Sequence, residues 1–284
     1  MRKVYRWQCG NRELELGRRT LVMGILNVTP DSFSDGGSYA DADAAVDCAL
    51  AMAAEGADII DIGGESTRPG AEPVPEAEEI RRTVQVIEKI RAHSSVPISI
   101  DTMKAAVARR ALEAGADIIN DVSALSADDR MAVTAAETGA GVVLMHMKGS
   151  PRTMQNNPLY TDVVGEVCAY LQERIAAAVE HGISRDRLVA DPGIGFGKTT
   201  EHNLDLLRGL PQLAECGAPL LVGVSRKRFI GELTGKENPH DRLAGSLGTA
   251  AWAAMQGAHI LRVHDVIQTC DVCRIVDTLC GGDT

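Results

Sequence analysis

Basic charge is in deficit in this sequence. Its 29 lysine and arginine residues are outnumbered by 39 aspartate and glutamate residues, which leaves a formal net charge of -10 at pH 7. Proteins that bind nucleic acids usually carry a basic patch or have a high isoelectric point. The composition therefore argues against nucleic acid as a partner.

Long apolar runs are absent as well. No stretch reaches the ~18 residues of a membrane span. The N-terminal segment MRKVYRWQCG is basic but lacks the apolar stretch and the cleavage signature of a secretory leader. We therefore expect a cytoplasmic protein without a membrane partner.

Cysteine is sparse and irregularly spaced. The seven cysteines do not form the tight framework of a disulfide-rich fold, so we expect reduced thiols. Cys270 and Cys273 have the spacing of a metal-binding pair, but no second pair completes a zinc site. With Cys280 they continue a helical stripe that begins at Val266, which indicates small apolar side chains on one helix face.

Flexible linkers and low-complexity segments are also missing. Hydrophobic residues make up 45% of the chain and charged residues 24%, as is usual for a globular protein. A chain of this length can hold two domains, but α/β barrels of ~200 to 400 residues routinely form one. We expect a single domain over residues 1–284, with a short β-hairpin at about 1–20.

The sequence does contain a repeated motif, the Gly-Ala repeat: Gly-Ala, a short apolar run and then a polar residue. Two close copies lead to Asp61 and Asn120, and looser copies lead to His146, Ser225 and Arg262. The glycine suits a helix C-terminus, and the apolar run suits a strand that is buried on both faces. If the strands are parallel, the polar residues all lie at one edge of one sheet.

Strand and helix patterns alternate along the chain. The eight predicted strands lie near residues 21–26, 58–62, 97–100, 117–120, 141–145, 188–190, 219–223 and 260–263. Eight alternating units favour a closed (β/α)8 TIM barrel, with an open doubly wound sheet as the alternative. The long loops after three strands, at 27–40, 63–74 and 146–160, would then surround the catalytic end of the barrel.

Two of these loops carry candidate binding groups. Asn27 ends the first strand and offers a hard oxygen ligand of the kind that Mg2+ prefers. Arg68 lies among glycines and hydroxyls, where an arginine can bind a carboxylate or a phosphate through two parallel bonds. The alternatives are an ordinary Asx and proline turn for the first loop and a helix-capping loop with a solvated arginine for the second.

The segment that begins at Asp191 resembles a P-loop at its end, Gly197-Lys198-Thr199. It lacks the first glycine of that motif, because residue 192 is proline. We interpret it instead as a strand that ends at Asp191 and a glycine loop that lets a flat ligand approach Phe196. The alternative is a flexible loop whose phenylalanine only covers the rim.

Asp101 and Asn120 end two further strands. Each alone is often just the N-cap of the following helix. Together with Asp191 they would form a ring of acceptors and amides, which suits hydrogen bonding to the edge of a planar heterocycle. No Ser-His-Asp or metal-histidine spacing accompanies them.

A basic turn, Ser225-Arg226-Lys227-Arg228, follows the seventh strand, and Arg262 and His264 lie at the end of the eighth. Barrels commonly bind phosphate at these two positions. A solvated face is the alternative, but positive charge at a helix start opposes the helix dipole and so favours a ligand.

Seven segments, in this order, resemble the dihydropteroate synthases of bacterial folate synthesis: GILNVTPDSFSDGG, DIGGESTRPG, SIDT, INDVSA, DPGIGFGKT, GVSRKRFIG and RVHDV. The resemblance covers nearly the whole chain. It implies a (β/α)8 barrel and a transferase that joins 6-hydroxymethyl-7,8-dihydropterin diphosphate to 4-aminobenzoate, releasing pyrophosphate with Mg2+. It also implies a homodimer formed by the last two helices.

Carried over by position, the resemblance assigns three groups of residues. Those that bind the pterin are Asp101, Asn120, Asp191 and Lys227, with Met145, Phe196 and Arg262 against its faces. Those that hold the diphosphate are Asn27, Arg262 and His264, with Asn27 also on the metal ion. Those that shape the aminobenzoate pocket, which sulfonamides also occupy, are Phe33, Asp35, Thr67, Arg68 and Pro69. Asp35, Arg262 and His264 are the expected catalytic residues.

One position departs from the family pattern. The residue after Lys227 often carries a small hydroxyl that contacts the aminobenzoate, whereas here it is Arg228. Two other functions share part of the pattern. A pterin-dependent methyltransferase would share acceptors such as Asp101 but gives no reason for the loop around Arg68. A non-catalytic pterin-binding paralogue would be expected to lose Asn27, Asp35 or Arg68.

Overall fold

The computed structural model of the protein describes residues 2–28, 38–66, 70–149, 153–154 and 158–281. The strands in this part of the chain are β1 (Tyr5–Cys9), β2 (Arg12–Leu16), β3 (Leu21–Asn27), β4 (Ile59–Gly63), β5 (Ile98–Asp101), β6 (Ile118–Asp121), β7 (Gly141–Met145), β8 (Leu188–Asp191), β9 (Leu221–Gly223) and β10 (Ile260–Val263).

Helices alternate with the strands from β3 onward. They are α1 (Ser38–Ala54), α2 (Glu76–His93), α3 (Ala105–Glu113), α4 (Arg130–Thr138), α5 (Val163–Glu180), α6 (Thr200–Arg208), α7 (Leu210–Leu213), α8 (Arg228–Thr234), α9 (Leu243–Met255) and α10 (Val266–Leu279). Among the residues described, none of these helices has the length and apolar character needed to cross a membrane.

The eight strands β3 to β10 form one parallel sheet, in the order β8-β7-β6-β5-β4-β3-β10-β9. Its two outer strands, β8 and β9, meet where Ala190 bridges to Leu220 and the Ala190 amide donates to the Pro219 carbonyl at 2.9 Å. This contact closes the sheet, so the predicted (β/α)8 barrel is confirmed and the open doubly wound sheet is wrong. The extent of a single domain over residues 1–284 stays a prediction.

Most predicted strands extend by one residue at the C-terminal end. The structure includes Asn27, Gly63, Asp101 and Asp191 in the sheet, because each pairs with a neighbouring strand. The N-terminal hairpin is also confirmed as the antiparallel pair β1 and β2. The polar residues Asn27, Asp101 and Asp191 are therefore held on the rigid strands themselves and not on the loops that follow them.

The hairpin covers one end of the barrel. Its buried side chains Trp7, Cys9 and Leu16 pack against inward-facing residues at the N-terminal ends of the strands, such as Ile118. The Trp7 indole nitrogen donates to the Arg187 carbonyl at 2.9 Å, just before β8. Apolar packing closes this end, which leaves the opposite end for polar chemistry.

The two ends of the chain are joined at the same side. The Thr20 amide and hydroxyl donate to the Asp277 carboxylate at 2.7 and 2.9 Å, and Arg2 also pairs with Asp277. Strand β10 pairs with β3 in parallel. The first and last strands of the barrel therefore lie side by side.

The cysteines are free thiols, as predicted; all seven lie within the described residues and none forms a disulfide. Cys270 and Cys273 are buried on α10 and act as small apolar side chains. The prediction for Cys280 is wrong, because this residue follows the end of α10 and is exposed.

Candidate active site

Polar side chains converge at the end of the barrel opposite the hairpin. Asn27, Asp101 and Asp191 are the last residues of β3, β5 and β8, and Asn120 lies next to the end of β6. Parallel strands bring their C-terminal ends to one face. The structure therefore brings together residues that are separated by up to 164 positions in the chain.

Arg262 lies at the centre of this group. Its Nε donates to Oδ2 of Asp61 at 2.6 Å, and its Nη2 donates to Oδ2 of Asp101 at 2.7 Å. Asn120 donates to the same Asp61 oxygen at 3.1 Å. Four strands of the barrel thus contribute to one network of charge-assisted hydrogen bonds.

This network rules out helix capping as the role of Asp101 and Asn120. The N-cap residues of the following helices are Lys104 for α3 and Asp129 for α4, and neither helix has a side-chain cap. Both candidate side chains point instead into the barrel and are buried. The alternative raised by the sequence is therefore wrong for both residues.

The carboxylates keep unused acceptor atoms. Among the described residues, Oδ1 of Asp61 and Oδ1 of Asp101 are buried without a hydrogen-bond partner. Burial raises the pKa of Asp101 to about 7, although the neighbouring Arg262 opposes that shift. Burial opposes the charge on Arg262, but Asp61 and Asp101 raise its pKa above the ordinary value. A ligand that donates hydrogen bonds would satisfy these oxygens.

Beside this network lies a narrow slot between apolar surfaces. The Lys227 ammonium nitrogen lies 4.2 Å from the centre of the Phe196 ring. Burial and the charge of Arg262 lower the pKa of Lys227 to about 8. The residues that line the slot are Asp101, Asn120, Val122, Met145, Asp191, Gly193, Ile194, Phe196, Gly223, Lys227 and Arg262.

The glycine loop after β8 forms one wall of the slot. Gly193 has a φ of +65°, and its amide donates to Oδ1 of Asp191 at 2.7 Å. A Cβ atom on this residue would lie 1.9 Å from the His146 carbonyl oxygen. Only glycine allows the loop to approach β7 this closely. Burial raises the pKa of Asp191, and the bond from Gly193 opposes that shift.

The slot opens into a wider cleft of about 1070 Å3, which includes Asn27, Ser225 and His264. His264 Nδ1 lies 3.0 Å from the Ser225 hydroxyl. Burial, with a smaller effect of Arg226, lowers the pKa of His264 to about 3. The imidazole is therefore neutral at pH 7 when no anion lies beside it.

The basic turn divides its charges between different partners. Arg226 pairs with Asp265 through two bonds, at 3.1 and 2.5 Å. Arg228 is 79% exposed and pairs with Glu232 one helical turn along α8, at 2.7 Å. Of the three cations, Lys227 alone lines the inner slot. Arg226 and Arg228 line the outer cleft.

Comparison with known proteins assigns this barrel to a family. The sequence pattern of the family described as "Pterin binding enzyme" matches residues 23–264. The dihydropteroate synthase of Escherichia coli (strain K12) is 51% identical over 256 residues, which are 90% of each chain. This chain belongs to the dihydropteroate synthase family.

Solved structures of the family have the same fold. A Xanthomonas albilineans dihydropteroate synthase with 4-aminobenzoic acid is 50% identical, has a TM-score of 0.91 and covers 98% of both chains. The same enzyme in complex with 7,8-dihydropteroate is 48% identical, with a TM-score of 0.86, and covers 96% of this chain and 98% of its own. The predicted family membership is confirmed.

Five predicted residues of the family's aminobenzoate pocket lie outside the residues that the structure describes. They are Phe33, Asp35, Thr67, Arg68 and Pro69. The other predicted positions all border the slot or the cleft: Asn27, Asp101, Asn120, Met145, Asp191, Phe196, Lys227, Arg262 and His264. Their individual roles in a dihydropteroate synthase stay predictions.

Two residues near the site were not among the predicted binding residues. Asp61 holds Arg262, and the Gly-Ala repeat was the signal for it, since Asp61 ends one copy just as Asn120 and Arg262 end others. Lys198 is buried behind the glycine loop. In the sequence, Lys198 stands out only in the segment Gly197-Lys198-Thr199, which resembles the end of a P-loop, and that resemblance does not indicate burial.

Proposed function

We propose that this protein is a dihydropteroate synthase. It joins 6-hydroxymethyl-7,8-dihydropterin diphosphate to 4-aminobenzoate, and it forms 7,8-dihydropteroate and pyrophosphate. The observation that carries the proposal is the buried slot in which carboxylate and amide groups of separate strands converge on Arg262. The named relatives with the same fold support it.

The slot suits the pterin ring. The amino and amide groups of a pterin can donate hydrogen bonds to Asp101 and Asp191, and Asn120 can bond the same edge. Met145 and Phe196 offer apolar surfaces to the flat faces of the ring. Arg262 lines the slot and is bonded to Asp101, and we expect it to leave Asp101 and cover the ring when the pterin enters.

The wider cleft suits the diphosphate. Arg262 and His264 line the cleft, and we expect them to stabilise the negative charge that develops on the diphosphate during the reaction; His264 can take up a proton once that charge is near.

A magnesium ion fits this donor set. Mg2+ is usually held by one or two protein oxygens, substrate phosphates and water. Asn27 supplies one hard oxygen in the cleft, and no group of three or more His, Cys, Asp or Glu side chains in the described ranges forms a closed metal cage. When bound, the ion would neutralise the charge of the leaving diphosphate.

The proposed mechanism is dissociative. Cleavage of the carbon–oxygen bond releases pyrophosphate and leaves a pterin methylene cation. The aniline nitrogen then attacks this cation and afterwards loses a proton. An aniline nitrogen is neutral at pH 7, so no strong base is needed. The protein contributes positioning and charge stabilisation: Arg262 and His264 stabilise the leaving group, and Asp35 is proposed to stabilise the cation.

Purified protein supplied with both substrates is expected to release pyrophosphate and form dihydropteroate in equal amounts. The reaction should require Mg2+, because diphosphate departure needs its charge neutralised. EDTA is expected to stop both products, and excess Mg2+ should restore them. Pterin binding without either product would favour the non-catalytic paralogue. Methyl transfer from methyltetrahydrofolate would favour the methyltransferase.

Asp35→Ala is expected to lower kcat more than it weakens pterin binding, because the carboxylate is proposed to stabilise the cation and not the bound substrate. Single-turnover kinetics and calorimetric binding of the dihydropterin substrate separate the two effects. Asp31→Ala in the same segment is the matched control, with an expected change within about threefold. An unchanged kcat in Asp35→Ala would remove Asp35 from the mechanism.

We also propose a homodimer formed by the last two helices. Five large apolar side chains on α9 and α10 are more than 40% exposed: Trp252, Met255, Ile267, Ile275 and Leu279. Such a patch is typical of a protein interface. The mass in solution, measured by light scattering, is expected to be twice the 30.2 kDa of one chain. Ile275→Glu should shift it toward the monomer.

The control for this test is Val133→Glu, which places the same charge on an exposed apolar residue of α4. It is expected to leave the mass unchanged. A monomeric parent protein, or a dimer that survives Ile275→Glu together with Leu279→Glu, would contradict the proposed interface.

A cytoplasmic location remains a prediction from the sequence, and occupation of the aminobenzoate pocket by sulfonamides remains a prediction from the family. For Arg228, the exposed pair with Glu232 supports a role outside the slot.

A further inference from the structure

Lys198 is a buried cation that the proposed reaction does not use. The residue is only 3% exposed. Its Nζ lies 2.9 Å from the carbonyl oxygens of Gly193 and Phe196 and 3.0 Å from Nδ1 of His146. A buried amine with this many close partners is a fixed structural element rather than a solvated charge.

The three partners match the donors of an ammonium group. A protonated lysine has three N–H bonds and no acceptor, and here three acceptors are within 3.0 Å. Burial lowers the pKa of His146 to about 3, so its ring is neutral and Nδ1 can accept. Burial also lowers the pKa of Lys198 to about 7, and Asp191 opposes that shift.

These partners belong to two neighbouring segments that both line the slot. Two of the carbonyls lie in the glycine loop, at Gly193 and Phe196, which line the slot directly. The third partner, His146, follows Met145, which lines the slot at the end of β7. The His146 amide also donates to the Asp191 carbonyl at 2.9 Å, so both segments are in register.

We infer that Lys198 is a positioning residue that sets the width of the pterin slot by tying the loop after β8 to the end of β7. The inference rests on the proposed function for the identity of the ligand. It assigns Lys198 no contact with either substrate. It predicts an effect on the affinity for the pterin but none on the affinity for 4-aminobenzoate.

A second hydrogen bond holds the same loop independently of Lys198, so Lys198 is not needed to hold the loop as a whole. Asn203 Oδ1 accepts from the Gly195 amide at 2.7 Å, so α6 already holds the middle of the loop. Loss of Lys198 would therefore free the two residues at the slot without unfolding the segment between them.

The test replaces Lys198 by methionine, which has a similar length and no donors. Calorimetry with 6-hydroxymethyl-7,8-dihydropterin diphosphate and Mg2+ is expected to give a Kd about tenfold higher than in the parent protein, which corresponds to about 1.4 kcal/mol. The KM for 4-aminobenzoate, measured at saturating pterin, is expected to stay within about twofold. An unchanged pterin Kd, or an equal rise in both constants, would overturn the inference.

His259→Leu is the control for lost stability. His259 is another buried side chain with fixed partners, bonded to the Leu220 amide at 3.1 Å, but it lies near the start of β10, away from the slot. This variant should lower Tm without changing the pterin Kd. If it raises the Kd as Lys198→Met does, the effect is one of stability and the positioning role is wrong.

If Lys198→Met does not fold, His146→Leu is the variant that tests the inference. It removes one of the three acceptors and is expected to raise the pterin Kd by about two- to fivefold; an unchanged Kd there would overturn the inference. The pterin measurement is also separate from the assay for product. A parent protein that binds the pterin but forms no dihydropteroate contradicts the proposed function alone.

Discussion

Arg262→Met is expected to reduce kcat/KM by about a thousandfold. The arginine is the only cation described in the structure that bonds both Asp61 and Asp101, and the proposed mechanism places it on the leaving diphosphate. Its loss therefore removes stabilisation of charge that develops in the transition state. Steady-state rates of pyrophosphate release measure the effect.

The same change affects the fold, so stability has to be measured with it. Asp61 has no exposed side-chain surface, and removal of one partner of a buried ion pair costs roughly 3 to 5 kcal/mol. Arg262→Lys retains the charge but not the two-pronged geometry, and we expect it to recover stability more than activity. Activity within tenfold of the parent for Arg262→Met, in folded protein, would contradict the assigned role.

Gly193→Ala is expected to destabilise the protein by roughly 3 kcal/mol and to weaken pterin binding at least tenfold. An alanine there has an unfavourable positive φ of +65°, and its Cβ would lie 1.9 Å from the His146 carbonyl oxygen. The loop would have to move away from β7, and this movement would break the hydrogen bond from the Gly193 amide to Asp191. Thermal unfolding and calorimetry measure the two effects.

The chain supplies a close control for this prediction. Gly235 has a φ of +70°, but a Cβ atom on it would meet nothing within 4 Å. Gly235→Ala should therefore report backbone strain alone, about 1 kcal/mol, with unchanged pterin binding. Equal losses in the two variants would show that the contact with His146 has no importance.

Local sequence patterns were enough to predict the barrel and most of the slot. Each copy of the Gly-Ala repeat contains both the end of a helix and a buried strand, so the positions of Asp61, Asn120 and Arg262 at one end follow from parallel pairing alone. The hairpin was also evident, but its packing over the barrel end was not, since Trp7 belongs to an apolar cluster most of whose other members come from distant strands.

The electrostatic network could not be predicted in the same way. Arg262 and Asp61 are separated by 201 residues, and Lys198 and His146 by 52, so each pair depends on the closed fold. The basic turn shows the same limit: the sequence predicted ligand-binding charges, whereas Arg226 and Arg228 have carboxylate partners within the protein. Sequence identifies which residues are charged, but folding decides which charges remain for a substrate.

The pairing of β3 with β10 also has a consequence for synthesis of the chain. One edge of β3, at residues 21–24, stays unpaired until residues 260–263 of β10 have emerged from the ribosome, roughly 10 to 50 s later. During that interval the nascent protein exposes an unpaired strand edge, which is a template for aggregation. The barrel can therefore close only after β10 has been synthesised, and until then the exposed edge of β3 has to be protected.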